Sequence, residues 1–467
     1  MGKIKGSTRY GCTIYGAVAS FGVFCLAFMG IMLLHLQRER PSHPSKKPEI
    51  QSSALVSKYE EKTFEDARLR KIGATLDPEI MANVPRAASE YKLNVKNPCW
   101  DHEGTIRCLP YFYLAGSFQA GVDTLYKQLI PHRDIIHNEM TRYQFWGEEG
   151  KPMSTYAQKN GQSYEQIKQS PQQHIILDAS SSTFAFYWSA GLRTHQGFQR
   201  YMKPCWSNCS DHARGKQDVR EKCTSEICYP GAMAADKKVA SDLGISYDDV
   251  HLPLLMAAAY GKERLPKIIV MLRNPTERLH CAYWQYAHYK GKYGESAAGF
   301  LAYVKEQIGA IRKCESRGDY SARECALYFE ALGNVEEKLF FHADQIMRGM
   351  YEMYLEVWLR HFPRDHLLII RSEEYFSNAH QTLKQVYAFL GMTNVTEEDL
   401  DKMVKAGGRG TSFTKGRPAM LDEARSLVMD FYRPWNQRLS ELLGDPYYLS
   451  WNVVPQTNSS SDFLNTY

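Results

Sequence analysis

Four short apolar runs punctuate the chain: YFYLAG (111–116), HIILDAS (174–180), KIIVMLR (267–273) and HLLIIRS (366–372). Runs of this length between turn-forming residues read as strands buried on both faces. Between them the apolar residues recur at helical spacing, with helices expected from Val122, from Thr276 and over 341–360 (FHADQIMRGMYEMYLEVWLR), where the Met and aromatic residues read as core. The alternation argues for an α/β fold, a parallel sheet flanked by helices, and no internal repeat interrupts it.

Ahead of that pattern, 11–36 holds 26 residues without a formal charge. That is long enough to cross a hydrocarbon core of ~30 Å as one transmembrane helix, and longer than the apolar part of a cleaved secretory signal, so it reads as a retained signal anchor. The organisation expected is a cytoplasmic tail (1–10), the anchor (11–36), a Pro-, Ser- and Lys-rich stem (37–90), a globular domain (91–450) and a loose polar tail (451–467). Lys and Arg flank the anchor on both sides, so charge does not orient it. Sequons at Asn208, Asn394 and Asn458 suit a lumenal C-terminal part, that is, a single-pass type II membrane glycoprotein.

Cysteine usage agrees with this. Nine of the eleven cysteines follow the anchor, as Cys99/Cys108, Cys205/Cys209/Cys223/Cys228, Cys314/Cys325 and a solitary Cys281. Close pairs suggest disulfides in an oxidising compartment, with connectivity undecided; the four-cysteine cluster is loosely spaced for zinc, and no metal is expected. The net charge of +5 is local: residues 1–49 hold seven Lys/Arg and two Glu, so the remainder sums to zero. No general basic field points to nucleic acid.

Three stretches carry candidate chemistry. The first, YFYLAGSFQAGVDTLYKQL (111–129), runs strand, glycine-bounded turn, helix, the order in which backbone amides form an anion site; the turn has no cation between Gly116 and Gly121, and it lacks the Gly-Lys-Ser/Thr of a nucleoside triphosphatase loop. The second, KIIVMLRNPTERLHCAYWQY (267–286), puts Arg273 where a strand ends at Asn274-Pro275, with Thr276 in a capping position and Arg278 one turn on; an arginine there can grip a phosphate bidentately. The third, TSFTKGRPAML (411–421), offers two cations and flexible amides in one turn.

In this order and spacing, across most of 97–445, the three resemble the Golgi carbohydrate sulfotransferases, and among them the N-acetylgalactosamine 4-sulfate 6-O-sulfotransferase (chondroitin sulfotransferase) group, also through NPCWDHEGTIRCLPYFYLAG and FYRPWNQRLSELLGD. The resemblance implies a sulfotransferase fold with a P-loop-like turn for 3′-phosphoadenosine-5′-phosphosulfate (PAPS) as co-substrate, a sulfated glycosaminoglycan such as chondroitin as acceptor, and a Golgi membrane location; it leaves a homo-oligomer open. It assigns cofactor binding to Gly116, Gln119, Gly121 and Thr124 at the phosphosulfate, to Arg273 and Cys281 at the 3′-phosphate, and to Lys415, Gly416 and Arg417 in a closing loop.

Departures from the family pattern fall where the chemistry happens. Gln119 replaces the usual Lys or Arg of the turn, Val122-Asp123 replaces a hydroxyl pair, Thr141-Arg142-Tyr143 stands where Lys-Glu-Pro carries the family's base, and Cys281 replaces a serine. The catalytic residues are therefore unassigned; Glu139 and His137 lie nearby as substitutes for the base. Losing a cation at a leaving phosphosulfate costs ~10²–10³ in rate, and losing a base ~10²–10⁴. The alternative reading is a non-catalytic relative that binds glycan, nucleotide or a partner in the lumen. A metal-dependent glycosyltransferase would need an Asp-x-Asp at a strand end, and Asp399-Leu400-Asp401 reads instead as an acidic helix start.

Overall fold

The computed structural model describes residues 65–453, apart from 148–149, 187–192, 317, 332–343, 393–394 and 409–416. The expected tail, anchor and most of the stem, the sequons at Asn394 and Asn458, Lys415, Gly416 and nearly all of the C-terminal tail lie outside the described residues. No described helix is long and apolar enough to cross a membrane.

The strands are β1 (Cys99–His102), β2 (Thr105–Cys108), β3 (Phe112–Gly116), β4 (Ile135–Ile136), β5 (Ile175–Asp178), β6 (Lys267–Leu272) and β7 (Leu367–Arg371). β1 and β2 form an antiparallel hairpin closed by the Cys99–Cys108 disulfide. The other five form one sheet in the order β4-β5-β3-β6-β7, every neighbouring pair parallel. All four strands read from the apolar runs are present; β4, with two residues, was not foreseen.

Sheet pleating sorts the side chains into two cores. Tyr113 and Ala115 of β3 with Ile268, Val270 and Leu272 of β6 join one cluster, which includes Trp358 of the helix Tyr351–His361. Phe112, Leu114, Ile269 and Met271 face the other, against Leu125 and Leu129 of the helix Val122–Leu129 and Leu383 and Val386 of Ala379–Phe389. A sheet covered on both faces needs strands apolar on both sides, which is why these runs are continuous rather than alternating.

Two expectations are corrected. The stem does not extend to residue 90: the helix Asp66–Leu76 buries Leu69, Ile72 and Leu76, spaced i, i+3, i+7, in the first core beside the helix Leu252–Tyr260. The 341–360 helix is two among the described residues, Asp344–Met347 and Tyr351–His361, parted at Arg348–Gly349. Gly349 lies where a Cβ would come within 2.7 Å of the Tyr432 ring, so the break is a close approach to the helix Asp422–Leu443.

Four disulfides settle the connectivity the spacing left open: Cys99–Cys108, Cys205–Cys228, Cys209–Cys223 and Cys314–Cys325. In the four-cysteine cluster, where Cys205, Cys209 and Cys228 crowd as metal ligands do, the sulfurs are paired with one another. Cys281 is the free cysteine among the described residues and is buried.

Candidate active site at the carboxyl ends of the strands

From β3 the chain builds one side of the sheet through β4 and β5, then crosses to the other through β6 and β7. Connections leaving β3 and its neighbour therefore diverge, opening a crevice at their carboxyl ends where open α/β sheets bind ligands. The 116–121 turn lies there. Ser117 N–H donates to the Met271 carbonyl and Ala120 N–H to the Ser117 carbonyl, while the Ser372 hydroxyl, after β7, sits 2.6 Å from the Ala120 carbonyl. Gly121 begins the helix Val122–Leu129 at φ 97°, and a Cβ there would fall 2.8 Å from the Phe376 ring, so both backbone and packing require glycine.

This pinning leaves a row of amides free. Among the described residues no acceptor takes the N–H of Phe118, Gln119, Gly121, Val122 or Asp123, and the buried Ser117 hydroxyl is also without a partner. Converging N–H groups at a helix start suit a phosphate-type anion, so the residues fit the phosphosulfate end of PAPS.

Arg273, half-buried at the end of β6, reaches into this crevice, where its Nη1 donates to the Gln119 carbonyl at 3.3 Å and lies 3.3 Å from Cys281 Sγ. The turn, Arg273 and Cys281, 154 and 162 residues apart in sequence from Gln119, are thus brought together. The following helix is Pro275–Gln285, and its cap is Asn274, whose side chain accepts from Thr276 N–H, not Thr276 as expected: the Pro at the first helical position shifts the start by two residues. Arg278 is fully buried and donates to the backbone and side chain of Gln345, so it holds the core rather than a ligand.

Arg273 shares its electrostatic surroundings with Arg417, which the sequence reading had assigned to the closing loop, and with Arg425, which it had not. Arg425 pairs with Glu277 at 2.5 Å; burial raises the Glu277 carboxyl, but Arg425 and Arg273 outweigh it and hold the group below its ordinary range. Arg417 points a buried Nη1 with no partner among the described residues. Burial pulls His280 down to about 4, with Arg425, Arg417 and Arg273 adding to the effect against the pull of Glu277. The neutral ring accepts from Trp284 Nε1 at 3.0 Å. The charges of Arg417, Arg273 and Arg425 thus all act on His280 of the site helix, which is where the third stretch bears on the second. Thr124, in the first turn of its helix, is half-buried with its N–H on the Gly121 carbonyl.

The two departures at Asp123 and Arg142 are partners. Their side chains form an exposed ion pair at 2.7 Å, and the Arg142 guanidinium lies 5.3 Å from the Tyr126 ring centroid. Asp123 is thus neutralised beside the turn, by the residue standing where the family carries its base. Glu139 is salt-bridged to Lys159 at 2.8 Å and His137 is exposed after β4; neither hydrogen-bonds to the turn. Asp178, at the end of β5, is raised to about 6 by burial, but it is enclosed, accepting from Tyr156 Oη at 2.5 Å. Asp399 of the Asp-x-Asp caps the helix Glu397–Gly407 in a box with Thr396, and Asp401 pairs with His380.

Comparison with known proteins gives the same answer from sequence. A family profile described as "Sulfotransferase domain" matches residues 232–409, which include β6, Arg273 and β7. Carbohydrate sulfotransferase 15 of Nototodarus sloanii is 30% identical over 147 residues, 31% of this chain and 86% of that protein. The chain belongs to the carbohydrate sulfotransferase family. Human carbohydrate sulfotransferase 15 is 24% identical over 352 residues, 75% of this chain but 56% of that protein, so this family member spans little more than half the length of such relatives. A solved sulfotransferase from Alicyclobacillus acidocaldarius overlaps 74% of the chain and 99% of its own at 16% identity and a TM-score of 0.37, too loosely to bear on the site.

Proposed function

We propose that the chain transfers a sulfuryl group from PAPS to a hydroxyl of a glycosaminoglycan sugar, with N-acetylgalactosamine of chondroitin or dermatan as the acceptor of first choice. The observation that carries this is the set of amides of Phe118, Gln119, Gly121, Val122 and Asp123, unpartnered among the described residues and met at the same crevice by Arg273. Those amides and Ser117 hold the anionic phosphosulfate end. Arg273, Cys281 and Arg417 take the 3′-phosphate, with Lys415 and Gly416 completing the loop. PAPS supplies an activated sulfur: the acceptor hydroxyl attacks it, the bond from sulfur to the bridging oxygen breaks, and phosphoadenosine phosphate leaves while the hydroxyl proton passes to a base. Four disulfides and an exposed sequon at Asn208 support a lumenal Golgi protein held by the 11–36 anchor.

The Asp123–Arg142 pair favours a second reading, a family member that binds nucleotide or glycan without turning it over, because the pair occupies the side where a base is needed. Radiolabelled PAPS incubated with the lumenal chain and chondroitin, dermatan sulfate or heparan sulfate separates the two. Label in chondroitin or dermatan supports the first reading. Label in none, with phosphoadenosine phosphate still raising the melting temperature, supports the second.

A further inference from the structure

One carboxylate at the strand ends has no part in the reading above. Glu373 follows Ser372 at the end of β7, and the two residues tie the turn to the end of β6. The Ser372 hydroxyl sits 2.6 Å from the Ala120 carbonyl of the turn and 2.9 Å from the Leu272 carbonyl, while Glu373 Oε1 accepts from Asn274 N–H at 2.8 Å. That bond accounts for one oxygen. Oε2 is buried and, among the described residues, has no hydrogen-bond partner. Burial raises the Glu373 carboxyl above its ordinary range, against the pull of the Asn274 and Glu373 N–H groups and of the charges on Arg273 and Arg371. A carboxylate accepts at both oxygens, and a buried acceptor left empty costs free energy. Beside the arginine that takes a 3′-phosphate, a bare carboxylate oxygen repels the ligand unless a donor of that ligand meets it. In a 3′-phosphorylated ribonucleotide the donor stands on the adjoining carbon, as the 2′-hydroxyl. Dinucleotide-binding sheets place an acidic side chain on a ribose 2′-hydroxyl in the same way.

We propose that Glu373 Oε2 accepts the ribose 2′-hydroxyl of the nucleotide held by Arg273, so that the site selects a ribonucleotide over its 2′-deoxy counterpart. This rests on the nucleotide-binding reading above. The two oxygens then divide the work: Oε1 fixes the start of the helix Pro275–Gln285, and Oε2 reads the sugar.

The test is calorimetric titration of the lumenal chain with phosphoadenosine phosphate, its 2′-deoxy analogue and the analogue carrying inosine in place of adenosine. The wild type is expected to bind the 2′-deoxy analogue ~10–100-fold more weakly than phosphoadenosine phosphate, the worth of one hydrogen bond to a charged acceptor. Glu373→Gln keeps an oxygen for Asn274 N–H and puts an amide donor in place of Oε2; it is expected to cut that preference to about threefold or less. Both ligands carry the same phosphates, so their ratio cancels any general change in charge or stability, and a purely structural Glu373 would weaken the two alike. A wild-type ratio near unity, or one that Glu373→Gln leaves standing, overturns the proposal. So does a loss that appears with the inosine analogue and vanishes in Glu373→Gln, which would put the adenine amino group on Oε2 instead. If Glu373→Gln does not fold, Glu373→Asp, which draws the carboxylate back by one methylene, decides by the same ratio. A wild-type chain that binds none of the three nucleotides fails the underlying reading instead.

Discussion

Arg142 and Asp123 neutralise one another at 2.7 Å while both remain largely exposed, so their mutual effect on folding is small, under about 1 kcal/mol, but their effect on an anion at the turn is not. Arg142→Ala leaves Asp123 uncompensated one residue inside the helix start and is expected to weaken phosphoadenosine phosphate by ~5-fold, with Asp123→Asn in the same background restoring it; a binding isotherm at low salt measures both. His280 sets a second expectation. Its pKa lies at about 4, below the ~6.5 of an unfolded chain, so between those values the unfolded state binds the extra proton and stability falls as the pH drops through that window. The loss attributable to this ring is on the order of 1–3 kcal/mol, and His280→Gln flattens that part of a pH series of thermal melts. At this scale the sequence showed Arg273 and the glycines, because strand ends and turns carry local signals. It did not show Arg425, whose role comes from pairing with Glu277, 148 residues away in the chain.

The helix Asp66–Leu76 is an integral layer of the domain, not stem, since Leu69 and Ile72 are buried beside Leu252–Tyr260. Ile72→Ala is expected to cost ~2–4 kcal/mol in a denaturant titration, and a fragment starting at residue 91 to melt well below one starting at 65. Strands β3, β5, β6 and β7 were legible because burial on both faces writes an unbroken apolar run. β4 was not, because two residues carry no period, and the β1–β2 hairpin is closed by a disulfide whose pairing spacing alone does not fix. The 66–76 stripe was present in the sequence at i, i+3, i+7, masked by the polar stretch before it.

Taken whole, the molecule joins a doubly covered parallel sheet to loops pinned by disulfides. Cys205–Cys228 and Cys209–Cys223 close loops of 23 and 14 residues on the helical excursion between β5 and β6, and removing the first by paired Cys205→Ser and Cys228→Ser substitutions is expected to cost ~2–4 kcal/mol, read as a lower melting temperature that reductant no longer depresses as far. The α/β class followed from strand and helix alternation, whereas the convergence of 116–121 and 273–281 at one crevice required the crossover at β3 to be seen. The most direct test of that convergence is calorimetric titration of the lumenal chain with phosphoadenosine phosphate, wild type against Arg273→Ala. Saturable one-to-one binding, weakened at least ~10-fold by the substitution, is the expected result. Absence of binding at millimolar nucleotide, or equal affinity in both proteins, would contradict it.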